Sequence, residues 1–288
     1  MNEEICELLK PIFGQDVKVQ SSSPTGGGCI NETSVLTLNN GEQVFLKQNA
    51  HPPQDFFAAE AKGLQHLAQA VKGPKIPKPL AWQDSFLILE YIEESAPGPD
   101  FPVRFARSLA ELHRVSHNNF GLDHNNYIGS TLQKNFPTGN GLDFFRDQRL
   151  RAQQELARQF GKLPLSIDKN LSKLCDQLEN YLDISGEKPA LLHGDLWSGN
   201  YFPDARQVPC IFDPAVYFGL READLAMTEL FGRLPQKFYD AYHEAFPLNL
   251  GYEERKDLYN LYHLLNHLNL FGGSYLASVE QVVQRYIG

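Results

Sequence analysis

The chain has 288 residues, 42% of them hydrophobic, enough for a substantial core and long enough for two lobes. Its formal net charge of −9, with no basic block, argues against nucleic acid or an anionic membrane as a partner. No signal-peptide pattern opens the chain and no apolar run approaches transmembrane length. The four cysteines (Cys6, Cys29, Cys175, Cys210) show neither Cys-x-x-Cys pairs nor zinc-finger spacing, so a cytoplasmic, reducing setting without a structural metal is expected.

Ile5, Leu8, Leu9, Ile12 and Phe13 recur at helical spacing and Gly14 ends the run, which predicts a short amphipathic helix. Val17-Lys18-Val19 then alternates as a strand into a segment holding Gly26, Gly27, Gly28, Cys29, Ile30 and Asn31. Three glycines between strands let backbone amides approach phosphate oxygens, although a glycine-rich hairpin can equally be a plain turn. Asn31 stands where a Gly-x-Gly-x-x-Gly loop would carry its last glycine, and no Gly-x4-Gly-Lys-Ser/Thr loop occurs. Residues 33–38 and 43–47, joined by Asn39-Asn40-Gly41, read as a hairpin that ends at Lys47. A helix over about 55–70 offers Glu60 as a partner for that lysine, the pairing that kinases use to hold α- and β-phosphates.

Phe86-Leu87-Ile88-Leu89 reads as a buried strand leading to Glu90-Tyr91-Ile92, where a kinase-like fold reads adenine through main-chain groups. The acidic, Pro- and Gly-rich stretch that follows marks a boundary, giving a lobe over residues 1–92 and another over 93–288. Beyond it the hydrophobic period lengthens, and helices are expected over about 101–115, 144–160, 171–182 and most of 222–286. The polar loop 116–140 is either a wall of a substrate pocket or plain surface. His113, His263 and His267 fall in helical patterns and read as satisfied structural histidines.

The most informative stretch is His193-Gly194-Asp195-Leu196-Trp197-Ser198-Gly199-Asn200, followed by Phe212-Asp213-Pro214-Ala215. An acid, an amide five positions on and a second acid thirteen beyond that match the catalytic-loop and metal-binding residues of kinases. Asp195 would take a hydroxyl proton, while Asn200 and Asp213 would hold Mg²⁺ on the phosphates of ATP. Trp197 could stack on a sugar or pack the loop against the lower lobe. Asp224 could brace the loop or merely serve as a first-turn helix acid.

His193 to Asn200, with Trp197-Ser198-Gly199 in the middle, closely resembles the signature of the fructosamine kinases, also called ketosamine-3-kinases. Gly26 to Glu32, Phe45-Leu46-Lys47, Phe120-Gly121-Leu122, Asn126 to Thr131, Phe144-Phe145-Arg146, Phe212 to Ala215 and Phe231-Gly232 extend the resemblance over nearly the whole chain. It implies an α+β, bilobal protein-kinase-like fold, with a small N-terminal lobe of antiparallel sheet plus helix and a larger, mainly helical C-terminal lobe. It also implies ATP-dependent phosphorylation of the 3-hydroxyl of a ketosamine, on a protein or a free amine, followed by loss of the phosphate and release of the amine. Carried residue by residue, Asp195 is the base, Asn200 and Asp213 the metal ligands, Lys47 the phosphate ligand positioned by Glu60, and Glu90 to Ile92 the hinge. His193 would support the loop, and Cys29 would be a redox position able to link a homodimer by a disulfide, with an inert small residue as the alternative. A kinase for an aminoglycoside or amino alcohol, and a nucleotide-binding pseudokinase, are the competing readings.

Overall fold

The computed structural model describes residues 2–26 and 30–288. Gly27, Gly28 and Cys29, and with them most of the expected phosphate loop and the redox position, lie outside the described residues. The chain opens with α1 (Asn2–Phe13), β1 (Val19–Thr25), β2 (Glu32–Leu38), β3 (Gln43–Gln48), α2 (Phe56–Leu67), β4 (Pro79–Gln83) and β5 (Phe86–Glu90). These strands form an antiparallel sheet in the order β1-β2-β3-β5-β4. The alternation of side chains along β5 explains its unbroken apolar run. Phe86 and Ile88 join Ile5 and Leu9 of α1 on one face, while Leu87 and Leu89 join Phe57 and Leu64 of α2 on the other. With helices on both faces, no residue of β5 needs to be polar until Glu90.

The remainder holds α3 (Phe101–His113), a hairpin of β6 (Asn126–Ile128) and β7 (Thr131–Gln133), α4 (Gly141–Phe145), a π-helical segment (Arg146–Arg151), α5 (Ala152–Gln159) and α6 (Leu165–Asp176). Four short strands follow, β8 (Ala190–Leu192), β9 (Tyr201–Pro203), β10 (Pro209–Ile211) and β11 (Tyr217–Gly219), and then α7 (Glu222–Leu230), α8 (Gln236–Ala245), α9 (Tyr252–Phe271) and α10 (Leu276–Ile287). The α+β class, with its N-terminal antiparallel sheet, agrees with the expectation from sequence. Several boundaries differ. The strand expected to end at Val19 begins there and runs to Thr25. The helix expected over 144–160 starts earlier and passes through the π segment. The one expected over 171–182 starts at Leu165 behind Pro164 and ends at Asp176. Pro235 and Gly272 stand at helix ends and divide the long apolar stretch near the C-terminus.

β8 pairs with β11 and β9 with β10, so residues 190–219 form one nested hairpin whose ladder opens in the middle. The opening is closed off at one end by Ala215 N–H donating to the His193 carbonyl (2.9 Å). At the other end Phe212 N–H donates to the Asn200 carbonyl (3.1 Å). Both segments singled out from the sequence, 193–200 and 212–215, therefore face each other in a gap between two β-ribbons.

Behind this gap, α7 and α9 are joined by a buried, two-pronged ion pair: Arg255 Nη2 and Nε lie 2.6 and 2.9 Å from the Glu222 carboxylate. A buried pair of this kind contributes little net stability, but leaving one partner alone is costly. Arg255→Met is therefore expected to destabilise the fold by about 3–5 kcal/mol in denaturant unfolding. Adding Glu222→Gln to that variant should restore a large part of the loss, which a double-mutant cycle will read directly.

Candidate active site

Asp195 and Asp213 sit in the opening of the nested hairpin, and the turn that carries Asp195 requires Gly194. Its φ is +83°, and a Cβ there would lie 2.0 Å from the Ala215 carbonyl oxygen. The loop is held from behind by the Asp224 carboxylate, which accepts hydrogen bonds from the backbone N–H groups of His193 (2.7 Å) and Gly194 (2.9 Å). His113 Nε2 lies 3.3 Å from the same carboxylate, and His113 Nδ1 is 2.7 Å from the Tyr242 hydroxyl. Burial would push the Asp224 carboxyl up, but these donors outweigh it and hold it below the usual carboxylate range. The His193 ring bridges the gap, with Nε2 2.8 Å from the Phe212 carbonyl and Nδ1 accepting from Asp195 N–H (3.3 Å). Burial keeps this imidazole neutral by lowering its pKa.

Asn200 Nδ2 donates to the Asp195 carbonyl (2.8 Å) and lies 3.4 Å from both Asp195 Oδ2 and the Asp213 carbonyl. With its nitrogen committed to the loop, the amide has Oδ1 left to offer a cation. Asp213 has φ +54°, a left-handed conformation uncommon for a non-glycine residue. Its Oδ1 accepts from Lys47 Nζ at 2.7 Å, and Lys47 Nζ also reaches Glu60 Oε1 at 2.6 Å. Burial alone would lower the Lys47 pKa; the two carboxylates reverse this and raise it, so the ammonium stays charged. One ammonium against two carboxylates leaves a formal charge of −1 in this cluster. A hard-oxygen set with an excess negative charge suits Mg²⁺.

Asp195 differs from Asp224. Burial, reinforced by Asp213 and Asp224, pushes its carboxyl up to about 7, and Asn200 opposes the rise. His263 Nδ1 lies 4.0 Å from Asp195 Oδ1 and has no hydrogen-bond partner; burial, then the nearby His267, lowers its pKa to about 3. His113 and His267 are hydrogen-bonded as expected of structural histidines, whereas this buried Nδ1 of His263 is not.

A cavity of about 390 Å³ spans the region and is lined by Lys47, Glu60, Asp195, Trp197, Asn200 and Asp213. The half-buried Trp197 ring lies over Gly199, where a Cβ would approach it to 2.3 Å. His193 and Asp224 stand behind the loop, while Gly26, Glu90, Tyr91 and Ile92 do not line this cavity. Instead, the Glu90 carboxylate turns to the Lys78 amide (3.3 Å) and Lys75 (3.9 Å). Sequence reading missed the aromatic side of the cavity: Phe231, His267, Phe271 and Tyr275. Its signal was the spacing of His263, His267 and Phe271, which places them along one face of α9. Residues 126–129 of the polar loop also line the cavity.

Such groups meeting in one cavity are the set that a kinase-like phosphotransferase requires. The family described as fructosamine kinase matches residues 1–288, and the chain belongs to that family. It is 39% identical to a probable ketoamine kinase of Synechocystis over 98% of this chain and 96% of the relative. It is 36% identical to a chloroplastic protein-ribulosamine 3-kinase of Oryza sativa over 95% of this chain and 81% of the relative. Among solved structures, a candidate fructosamine-3-kinase from Thermobifida fusca superposes with a TM-score of 0.87 at 31% identity, over 97% of each chain. The gentamicin complex of the phosphotransferase APH(2")-IIa shares the fold alone, with a TM-score of 0.63 at 15% identity, over 99% of this chain and 95% of that one.

The environment of Asp195 has a measurable cost. Its folded-state pKa of about 7 lies above the ordinary 3.8. The side chain therefore contributes its full stability below about pH 4, and this is lost as pH rises through about 7. Asp195→Asn, compared with the parent without nucleotide or metal, is expected to melt several degrees higher at pH 8, with the gap closing as pH falls toward 4. Melting curves across that range check this, with about 4 kcal/mol as the ceiling on the difference, because the side chain keeps some contact with solvent.

Proposed function

We infer that this protein is an ATP-dependent ketosamine 3-kinase, acting on fructosamine- or ribulosamine-type Amadori adducts. The observation that carries this reading is the meeting of Asp195, Asn200, Asp213 and the Lys47–Glu60 pair in one cavity, in a chain of the fructosamine kinase family. We assign residues 1–92 to a nucleotide-binding lobe ending at the Glu90 to Ile92 hinge, and residues 93–288 to the lobe that carries the acceptor site. Among the described residues no helix is long and apolar enough to cross a membrane. Cys6, Cys175 and Cys210 are free thiols, in keeping with a cytoplasmic setting.

In this reading Asp195 accepts the proton of the sugar 3-hydroxyl, late in a largely dissociative transfer that asks little of the nucleophile. A group titrating near 7 suits this task, because it is ionised often enough to accept and basic enough to do so. Asn200 fixes the Asp195 loop and, with Asp213, offers the oxygens for Mg²⁺. When bound, the metal neutralises phosphate charge in the transition state. Lys47, kept charged and aimed by Glu60, binds phosphate oxygens, and Trp197 covers the apolar face of the sugar or its carrier. The rice relative's name supports ribulosamines as acceptors beside fructosamines.

The deciding experiment is ³¹P NMR of the protein with Mg-ATP and ribulosyl- or fructosyl-lysine. A new phosphomonoester signal is expected, absent with Asp195→Asn, followed by slow loss of the ester and release of lysine. ATP turnover with an aminoglycoside or amino alcohol but with neither ketosamine would overturn the assignment, as would nucleotide binding with no transfer to any acceptor. Trp197→Ala is expected to raise KM for the ketosamine about tenfold, the loss of one stacked contact of about 1.4 kcal/mol, and to leave KM for ATP unchanged.

A further inference from the structure

Outside the cavity, a second cluster of ligand-type side chains joins the two lobes. His66 stands in the last turn of α2, and Asp123 and His124 lie in the segment between α3 and β6. One donor atom from each of the three residues lies within 4.8 Å of the other two. The imidazole rings of His66 and His124 stack with centroids 6.0 Å apart and planes at 26°.

The polar contacts in the cluster leave a lone pair unused. His124 Nδ1 lies 2.5 Å from Asp123 Oδ1, and an ionised carboxylate can only accept, so Nδ1 carries the proton. The lone pair of His124 is then on Nε2, which is enclosed by protein and has no hydrogen-bond partner. A buried acceptor left this way is costly unless something binds it. His66 has one further contact, the Gln69 amide 3.4 Å from its Nδ1. The Asp123 side chain is 83% exposed, so it is free to swing and the cluster is open to solvent on that side.

We propose that His66, His124 and Asp123 form a transition-metal site that clamps α2 to the C-terminal lobe. Two imidazoles and a carboxylate favour zinc-like dications over Mg²⁺, which prefers oxygen donors and retained water. Ligand atoms around such an ion stand roughly 3.3 Å apart, so donor atoms already within 4.8 Å of one another need an approach of at most about 1.5 Å, within reach of rotations of Asp123 and the rings. The opposite end of α2 is already tied to the same lobe. The Tyr127 hydroxyl donates to the Gln54 carbonyl (2.8 Å), and the Phe56 and Tyr127 rings meet at 5.2 Å. The metal adds a second tie six residues beyond Glu60, about 9 Å along the helix. With both ends fixed, α2 holds Glu60 on Lys47, so metal occupancy sets how firmly that ion pair is kept.

Equilibrium dialysis of the chelator-treated full chain against ZnCl₂, with millimolar Mg²⁺ present, tests this. One more zinc per chain at low micromolar free metal is expected in the parent than in His66→Ala/His124→Ala. Hydrogen exchange should slow over 56–67 and 120–128 on adding zinc to the parent, and not in the double variant. The exposed Asp123→Asn, which leaves the packing intact, should weaken binding about tenfold. Equal zinc uptake by the parent and double variant would place the metal elsewhere and overturn the proposal. So would no uptake by the parent, or unchanged affinity in Asp123→Asn if the double variant does not fold.

Discussion

The structure depends most on the contact of the Lys47 ammonium with the carboxylates of Glu60 and Asp213, at 2.6 and 2.7 Å. The three residues come from β3, α2 and the loop between β10 and β11, so one charge cluster, buried at Lys47 and Glu60 and open to solvent at Asp213, joins sheet, helix and C-terminal part. A lone ammonium at this depth would be expensive; with two carboxylates it is over-compensated instead. A polyphosphate entering without a cation would meet that negative excess and be repelled. With a divalent ion held by oxygens such as Asn200 Oδ1 and the Asp213 carboxylate, the balance reverses. In the proposed reading, the electrostatics favour nucleotide and metal arriving together.

The same low-dielectric setting divides the neighbouring carboxylates into two kinds. Asp224 is surrounded by donors and is held ionised, as a fixed brace for two backbone amides. Asp195 has only the Asn200 amide to stabilise its charge and two acids to oppose it, so it titrates near 7. Environments that drive two like groups apart in this way mark out a structural acid and a reactive one. The cost is concentrated where the β-ladder opens, at the left-handed Asp213 and at a Gly194 whose Cβ has no room. The flanking ribbons and the buried Glu222–Arg255 pair supply the rigidity that keeps this arrangement in place.

The meeting of Asp195, Asn200 and Asp213 was legible in the sequence because the spacing of this candidate set is short and fixed. Asp195, Asn200 and Asp213 lie within nineteen positions, and a nested hairpin brings them together without long-range information. Lys47 and Glu60 were legible for the same reason at the level of order: a strand lysine followed by a helix acid. The aromatic wall was harder to read: His267 and Phe271 share one face of α9, but Phe231 follows α7 and Tyr275 lies beyond α9, so only tertiary packing brings the four together. His263 was read as satisfied because periodicity reports burial and is silent on hydrogen bonds. The hairpin within 116–140 was hidden by strands of three residues each, too short to show alternation. Helix 144–160 was found, but a π segment leaves no mark on a window that averages over turns.

That hairpin shows how one wall of the cavity is built separately from the loop that carries Asp195. Asn126 Nδ2 donates to the Val216 carbonyl (2.7 Å) and Gln133 Nε2 to the Ala215 carbonyl (3.0 Å), fastening the hairpin to the segment that follows Asp213. Arg149, carried by the π segment and fully buried, donates to the Lys134 carbonyl and to Asn135 Oδ1, both at 2.7 Å. Its guanidinium also stacks 3.9 Å over the Tyr217 ring. Tyr262 of α9 donates to Gln133 Oε1 (2.7 Å), so the hairpin and the aromatic helix are braced against each other. The gentamicin complex at 15% identity shares this overall frame. The wall made by residues 126–129 and the exposed face of α9 stands outside the nested hairpin. In the proposed reading, selection among hydroxyl acceptors falls to this wall, which is anchored to the nested hairpin through side-chain amides and one buried guanidinium.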